Sequence, residues 1–270
     1  MRRLLIRPGA IGDCILALPA LEYLKAEYTE VWAPSPVVPL IRFANAVQAI
    51  AATGLDLVGV GDLKTPAALR TKLQSFDSVV SWYGANRAEF REALLKLGLP
   101  CEFHQALPPA GFAGHATDFF AQQVGAPPGL MPHIAVQPSR PRASVVIHPF
   151  SGSQRKNWLL ACFRELARRV PREIEWTAGP AEELAGAVRF ADLAELAQWM
   201  AGADLYIGND SGITHLAAAC GLPTLALFGP ASPRTWAPRG ANVTVLYADA
   251  FDDLSVETVL KAANRLLGSQ

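Results

Sequence analysis

GNDSGITHLAAACGLPTLALFGP, residues 208–230, decides how this chain is read. Its first five residues are small and polar, and from Ser211 to Pro233 there is no Lys, Arg, Asp or Glu. An uncharged apolar run of about 18 residues can cross a bilayer. Here His215 stands near one end, Gly221-Leu222-Pro223 breaks the middle, and Gly229-Pro230 breaks it again. The spacing therefore predicts two short buried elements. One is a helix over 213–220 ended by Gly221, and the other is a strand over 224–228 with no polar face. With DLYIG (204–208) as a preceding strand, the stretch is a βαβ unit whose strand-to-helix loop is polar.

The same alternation runs outward in both directions. RLLIR (3–7) reads as a strand, followed by the loop PGAIGD and a helix over about 14–27. EVWAP (30–34) and DLVGV (56–60) read as further strands, with PLIRFANAVQAIAATG (39–54) as a helix between them. FDSVVSW (76–82) is a strand, AEFREALLKLG (88–98) an amphipathic helix closed by Gly98, and HATDFFAQQVG (115–125) another helix. Residues 126–143 hold five prolines and no periodicity, the composition of a linker. Alternation restarts with SVVIHP (144–149) and EIEWT (173–177), and ends in a helix with Ser255 as N-cap and Gly268 as stop. A length of 270 residues suits about two domains. The division expected is 1–135 and 136–270, two α/β halves of doubly wound parallel sheet. The final helix, about 255–267, is free to pack back on the first half.

Charge is balanced at 24 basic and 24 acidic residues, so no global field favours nucleic acid or a membrane surface. The N-terminus has basic residues followed by apolar ones, but Arg7, Pro8 and Asp13 interrupt the core that a secretion signal needs. Cys14, Cys101, Cys162 and Cys220 are far apart and form no CxxC, which points to neither a zinc site nor a disulfide framework. That usage fits a reducing cytoplasm.

Parallel sheets place ligands beyond the carboxyl ends of their strands, and four loops there carry chemistry. In RPGAIGDC (7–14), two glycines permit a tight turn, but the spacing is not that of a dinucleotide fingerprint. Asp13 opens the helix, where a carboxylate caps backbone N–H groups or acts as a base, and the residues alone leave both open. In HPFSGSQRKNW (148–158), Ser151, Gly152 and Ser153 beside Arg155 and Lys156 suit a phosphate, against a plain solvated loop. In TAGPAEE (177–183), Glu182 or Glu183 can accept hydrogen bonds from hydroxyl or amino groups, or can simply belong to a helix start. In the opening stretch, Ser211 and Gly212 sit at a helix N-terminus that attracts anions. Asp210 is placed to accept from sugar hydroxyls or to cap, and His215 leans back toward the same end.

Taken together, GAIGDCILALPAL, HPFSGSQRKNW, GPAEE and the run from DLAELAQWM to APRG (192–240) resemble glycosyltransferase family 9, the lipopolysaccharide heptosyltransferases and their relatives. The resemblance implies a GT-B fold, two Rossmann-like domains facing a cleft, with the donor in the second and the acceptor in the first. It implies inverting, metal-independent transfer to a glycolipid or glycan acceptor. The balanced charge offers no strong electrostatic membrane anchor, so contact with an inner-membrane acceptor at the cytoplasmic side is expected to be peripheral, and no nucleic acid partner is expected. Cofactors are none, an ADP-sugar being the donor substrate. By position, Asp13 takes the general base, and Lys156 meets donor phosphate and shares the catalytic role. Ser151, Gly152, Glu182, Asp210, Ser211, Gly212 and His215 surround the donor, and Gly12 stands on the acceptor side. A GT-B-type epimerase or a silent nucleotide-sugar-binding protein is the alternative. Phe150 stands where the family commonly has glycine, and the connecting loops are short.

Overall fold

The computed structural model describes residues 1–60, 65–137 and 141–268. The chain forms two units, residues 1–112 with 117–130, and 113–116 with 131–270. Each is built on a five-stranded parallel sheet with flanking helices.

In the first unit the strands are β1 (Arg2–Ile6), β2 (Tyr28–Ala33), β3 (Ala46–Ala49), β4 (Ser78–Ser81) and β5 (Cys101–Phe103), ordered β3-β2-β1-β4-β5. The helices are α1 (Ile11–Tyr23), α2 (Ala67–Leu73), α3 (Ala88–Leu95) and α4 (Ala116–Gln123). Leu4 and Ile6 of β1 sit at 0% exposure among Trp32, Phe90 and Leu94, so burial on both faces explains why β1 shows no polar alternation.

Two expectations fail in this unit. The stretch 39–54 is not a helix: it holds the end of a 3₁₀ turn (Ser35–Leu40), then β3, then another 3₁₀ turn (Ile50–Ala52). Asn45 decides this, because its side chain accepts from Thr29 N–H at 2.8 Å while its own N–H donates to Thr29 O at 2.9 Å. Those two bonds lay the chain alongside β2 and start the ladder Glu30↔Ala46. Nor is 56–60 a strand. Gly54 and Gly59 both adopt φ 71, and between them a 3₁₀ turn (Leu55–Leu57) buries Leu55 and Val58 on one side. Helix α1 also starts and stops earlier than expected. The short elements α2 and β5 were not read from the sequence at all.

In the second unit β6 (Ser144–His148), β7 (Glu173–Trp176), β8 (Leu205–Asn209), β9 (Thr224–Phe228) and β10 (Val243–Tyr247) are ordered β10-β9-β8-β6-β7. The helices are α5 (Leu160–Arg169), α6 (Leu193–Met200), α7 (Gly212–Ala219), α8 (Pro233–Trp236) and α9 (Val256–Gly268). The decisive stretch folds as read: α7 ends before Gly221 at φ 82, and β9 is buried at every position. Among the described residues no helix is long and apolar enough to cross a membrane. Helix α9 buries Val259, Leu260, Ala263 and Leu267 against Val145, Phe163 and Leu225, so its apolar face is used within its own unit.

Both sheets reverse their winding direction once. In the first unit the reversal lies between β1 and β4, and in the second between β6 and β8. Helices leave such neighbouring strands on opposite faces, which opens a crevice at the carboxyl ends.

Candidate functional site

The crevice of the second unit lies beyond His148 of β6 and Asn209 of β8, which pair in register as His148↔Gly208 with Asn209 one residue on. Asn209, at 0% exposure, holds the two loops together. Its Oδ1 accepts from Trp158 N–H at 3.0 Å and its Nδ2 donates to Pro149 O at 2.8 Å, gripping the 149–158 loop at both ends. The sequence reading did not single out Asn209. An Asn at the end of a buried strand, next to a polar loop, was the available signal.

Within that loop, Ser151 Oγ lies 2.8 Å from Ser153 O and 2.7 Å from Asn157 Oδ1, and accepts from Ser153 N–H at 3.3 Å. A side chain at Gly152 would meet nothing within 4 Å, so the space above it is open. The chain then makes a 3₁₀ turn (Gln154–Lys156) that brings Lys156 Nζ to 2.6 Å from Asp210 Oδ2. Asp210 is buried, while Lys156 is partly exposed. An exposed pair of this kind contributes little to stability, but here one partner is taken out of water and depends on the other.

Helix α7 starts immediately after this pair. Ser211 is its N-cap and accepts from Thr214 N–H at 3.3 Å. Thr214 Oγ1 donates to Asn209 O at 2.5 Å and lies 3.1 Å from Tyr206 Oη. Gly208 permits this, because a Cβ there would collide with the Tyr206 phenol. One hydroxyl is thereby used to cap the helix, and the dipole end still faces the crevice. His215, one turn in, is 5% exposed and its Nδ1 has no hydrogen-bond partner. Burial, reinforced by the positive charges of His115 and Lys156, pushes its pKa down to about 3, so the ring is neutral at pH 7.

The loop after β7 meets the same end of the sheet. Glu182 Oε2 accepts from Gly179 N–H at 2.5 Å and lies 3.8 Å from His148 Nε2. His148 Nδ1 is 3.1 Å from Thr177 O and must donate to it. Burial holds His148 below the usual histidine range, with Glu182 opposing that shift. Glu183 is exposed. Ser151, Gly152, Lys156, Asp210, Ser211, Gly212 and His215 thus gather around the β6 and β8 ends, with Glu182 reaching in from β7.

Asp13 and Gly12 stand at the corresponding crevice of the first unit, in the first turn of α1 after β1. Asp13 is not the N-cap. Ala10 holds that position, and Asp13, at N3, turns its carboxylate back to accept the Ala10 N–H at 3.2 Å. Among the described residues, no three His, Cys, Asp or Glu side chains gather where they could hold a metal ion.

Residues 131–259 match the model of Glycosyltransferase family 9 (heptosyltransferase). A stretch of 109 residues is 36% identical to Lipopolysaccharide heptosyltransferase 1 of Pseudomonas aeruginosa, covering 35% of this chain and 31% of that protein. Another of 95 residues is 33% identical to Lipopolysaccharide heptosyltransferase 3 of Escherichia coli, covering 35% of this chain and 25% of that one. The chain therefore matches less than a third of these relatives' own length. Over the whole chain the fold is similar to that of E. coli ADP-heptose LPS heptosyltransferase II, with a TM-score of 0.77, 18% identity, and coverage of 100% and 99%. It is also similar to E. coli heptosyltransferase WaaC with ADP, with a TM-score of 0.69, 18% identity, and coverage of 98% and 100%. Those likenesses carry the fold, which is GT-B. Residues 131–259, which hold both polar loops of the crevice, are thus similar to glycosyltransferase family 9.

Proposed function

We propose that the chain is an inverting sugar transferase that moves heptose from ADP-heptose to a lipopolysaccharide-core or related glycan acceptor. The observation that carries this reading is the Lys156–Asp210 pair at the winding reversal, beside the open start of α7. A cation and a helix dipole directed to one point suit a nucleoside diphosphate, and Asp210 suits the hydroxyls of an attached sugar. The names of the relatives, and of the solved structures with ADP, support the choice of ADP-heptose.

In the reaction, Asp13 accepts the proton of an acceptor hydroxyl, a role worth roughly 10²–10⁴-fold. The oxygen attacks the anomeric carbon from the face opposite the leaving group, and the glycosidic bond to ADP breaks with inversion. Negative charge developing on ADP is met by Lys156, the α7 start and the hydroxyl of Ser151, an electrostatic contribution that needs no metal ion. Glu182, fixed by Gly179 N–H, is assigned to the nucleoside, and Gly12 to the acceptor side.

A thermal-shift panel of ADP-, UDP-, GDP- and CMP-linked sugars tests the donor. ADP-heptose is expected to raise the melting temperature most. A larger shift with another nucleotide would change the donor, and no shift with any would remove the nucleotide-sugar reading.

A further inference from the structure

Arg7 follows β1 directly and is 0% exposed, an unusual place for a guanidinium. Its Nη1 donates to Ala106 O at 2.9 Å and its Nη2 to Asp13 O at 3.0 Å. Its Cζ lies 4.3 Å above the centre of the Phe120 ring, and its Nε is buried with no partner. No ion pair joins it to a carboxylate among the described residues. A charge held by two carbonyls and a ring face, with a donor left over, is costly in a core, and an apolar residue of similar volume would fill the space without that cost.

Such an arrangement is understandable through what it touches. Three features set the direction of the Asp13 side chain. Ala10 N–H holds one carboxylate oxygen. Gly9, at φ 125, leaves room for it, since a Cβ there would lie 3.2 Å from Asp13 Cβ and 3.3 Å from Oδ2. Arg7 grips the Asp13 carbonyl from below and ties it to the loop after β5. We infer that Arg7 is a positioning residue: its buried two-carbonyl bridge fixes the first turn of α1 so that the Asp13 carboxylate is aimed at the acceptor hydroxyl. This inference rests on the reading of Asp13 as the base.

The consequence is specific to geometry. Arg7→Lys keeps the charge but, lacking the fork, cannot bridge both carbonyls. With ADP-heptose as donor and heptose-free lipopolysaccharide as acceptor, Arg7→Lys is expected to leave the KM for ADP-heptose near wild type and to lower kcat by about tenfold or more. In an Asp13→Asn background the same change should cost less than about twofold, because residues acting as one unit are non-additive. Hydrogen exchange over residues 8–14 should rise in Arg7→Lys while β1 and β2 stay protected.

Wild-type kcat in Arg7→Lys, or the same fold loss in both backgrounds, would overturn the inference. If Asp13→Asn itself transfers normally, the base reading fails first, and the exchange result then judges Arg7 separately: unchanged protection over 8–14 refutes the bridge. Should Arg7→Lys not fold, Phe120→Leu removes the ring beneath the guanidinium and spares both carbonyl bonds. It must show the same coupling to Asp13 at smaller size, and independence would count against the proposal.

Discussion

Lys156 Nζ stands 2.6 Å from Asp210 Oδ2, so the cation assigned to the donor phosphate is held by a carboxylate of the neighbouring loop. An incoming diphosphate must compete for it. Asp210→Asn therefore has an expected effect opposite in sign to loss of the lysine. Removing the carboxylate frees Lys156 and takes a negative charge away from the anion, so ADP alone should bind more tightly, by about three- to tenfold. Calorimetric titration of ADP checks this, and weaker binding would mean that Asp210 supports the diphosphate rather than competing with it.

Acid should destabilise the second unit through His215. Its folded pKa of about 3 lies below the ordinary 6.5, so the unfolded chain takes up a proton that the folded chain refuses. Stability is full above 6.5 and is lost as pH falls from there toward about 3. Between pH 7 and pH 5 this group alone accounts for about 2 kcal/mol. Urea unfolding of His215→Asn at both pH values should show a fall smaller by that amount. An unchanged fall would show that the ring is not buried neutral.

Gly208 has room for hydrogen only, because the Tyr206 phenol occupies the space beside it on its way to Thr214. Gly208→Ala is expected to lower stability by about 1–3 kcal/mol through overpacking. It should also weaken ADP binding, since Thr214 and Ser211 share the displaced hydrogen bonds. Chemical denaturation with parallel titration tests both, and a variant as stable as wild type would refute the steric argument.

Asp13→Asn separates two duties of one side chain. The amide oxygen can still accept the Ala10 N–H, so the melting temperature should stay close to wild type. An amide cannot take the acceptor's proton, so transfer should fall by roughly 10² or more while ADP affinity holds. Near-normal transfer would leave Asp13 as a helix-start residue only.

The contrast between what was readable and what was not follows from sequence distance. β8, α7 and β9 were legible because burial on both faces leaves uninterrupted apolar runs, and Gly221 marks where the helix must stop. The stretch 39–54 misled because its apolar spacing suits a helix, whereas Asn45 and Thr29, joined by two hydrogen bonds, lay it along β2. The resemblance placed Lys156 and Asp210 each near the donor, but their pairing across 54 positions has no local signal. Asn209 had a local signal in its place at the end of a buried strand, but its partners Pro149 and Trp158 belong to a loop that only the sheet brings close. Arg7 looked like the edge of a strand, and only its burial against Ala106, Asp13 and Phe120 singles it out.

The central claim is that the β6 and β8 loops hold the diphosphate of a nucleotide sugar, and ADP and adenosine titrated against Lys156→Ala test it most directly. A charge-assisted contact of this kind contributes about 1.5–3 kcal/mol, so ADP affinity should fall by about 10- to 100-fold. Adenosine, which lacks the phosphates, should bind within about twofold of wild type. Equal losses for both ligands, or none for either, would contradict the account and leave Lys156 as the partner of Asp210 alone.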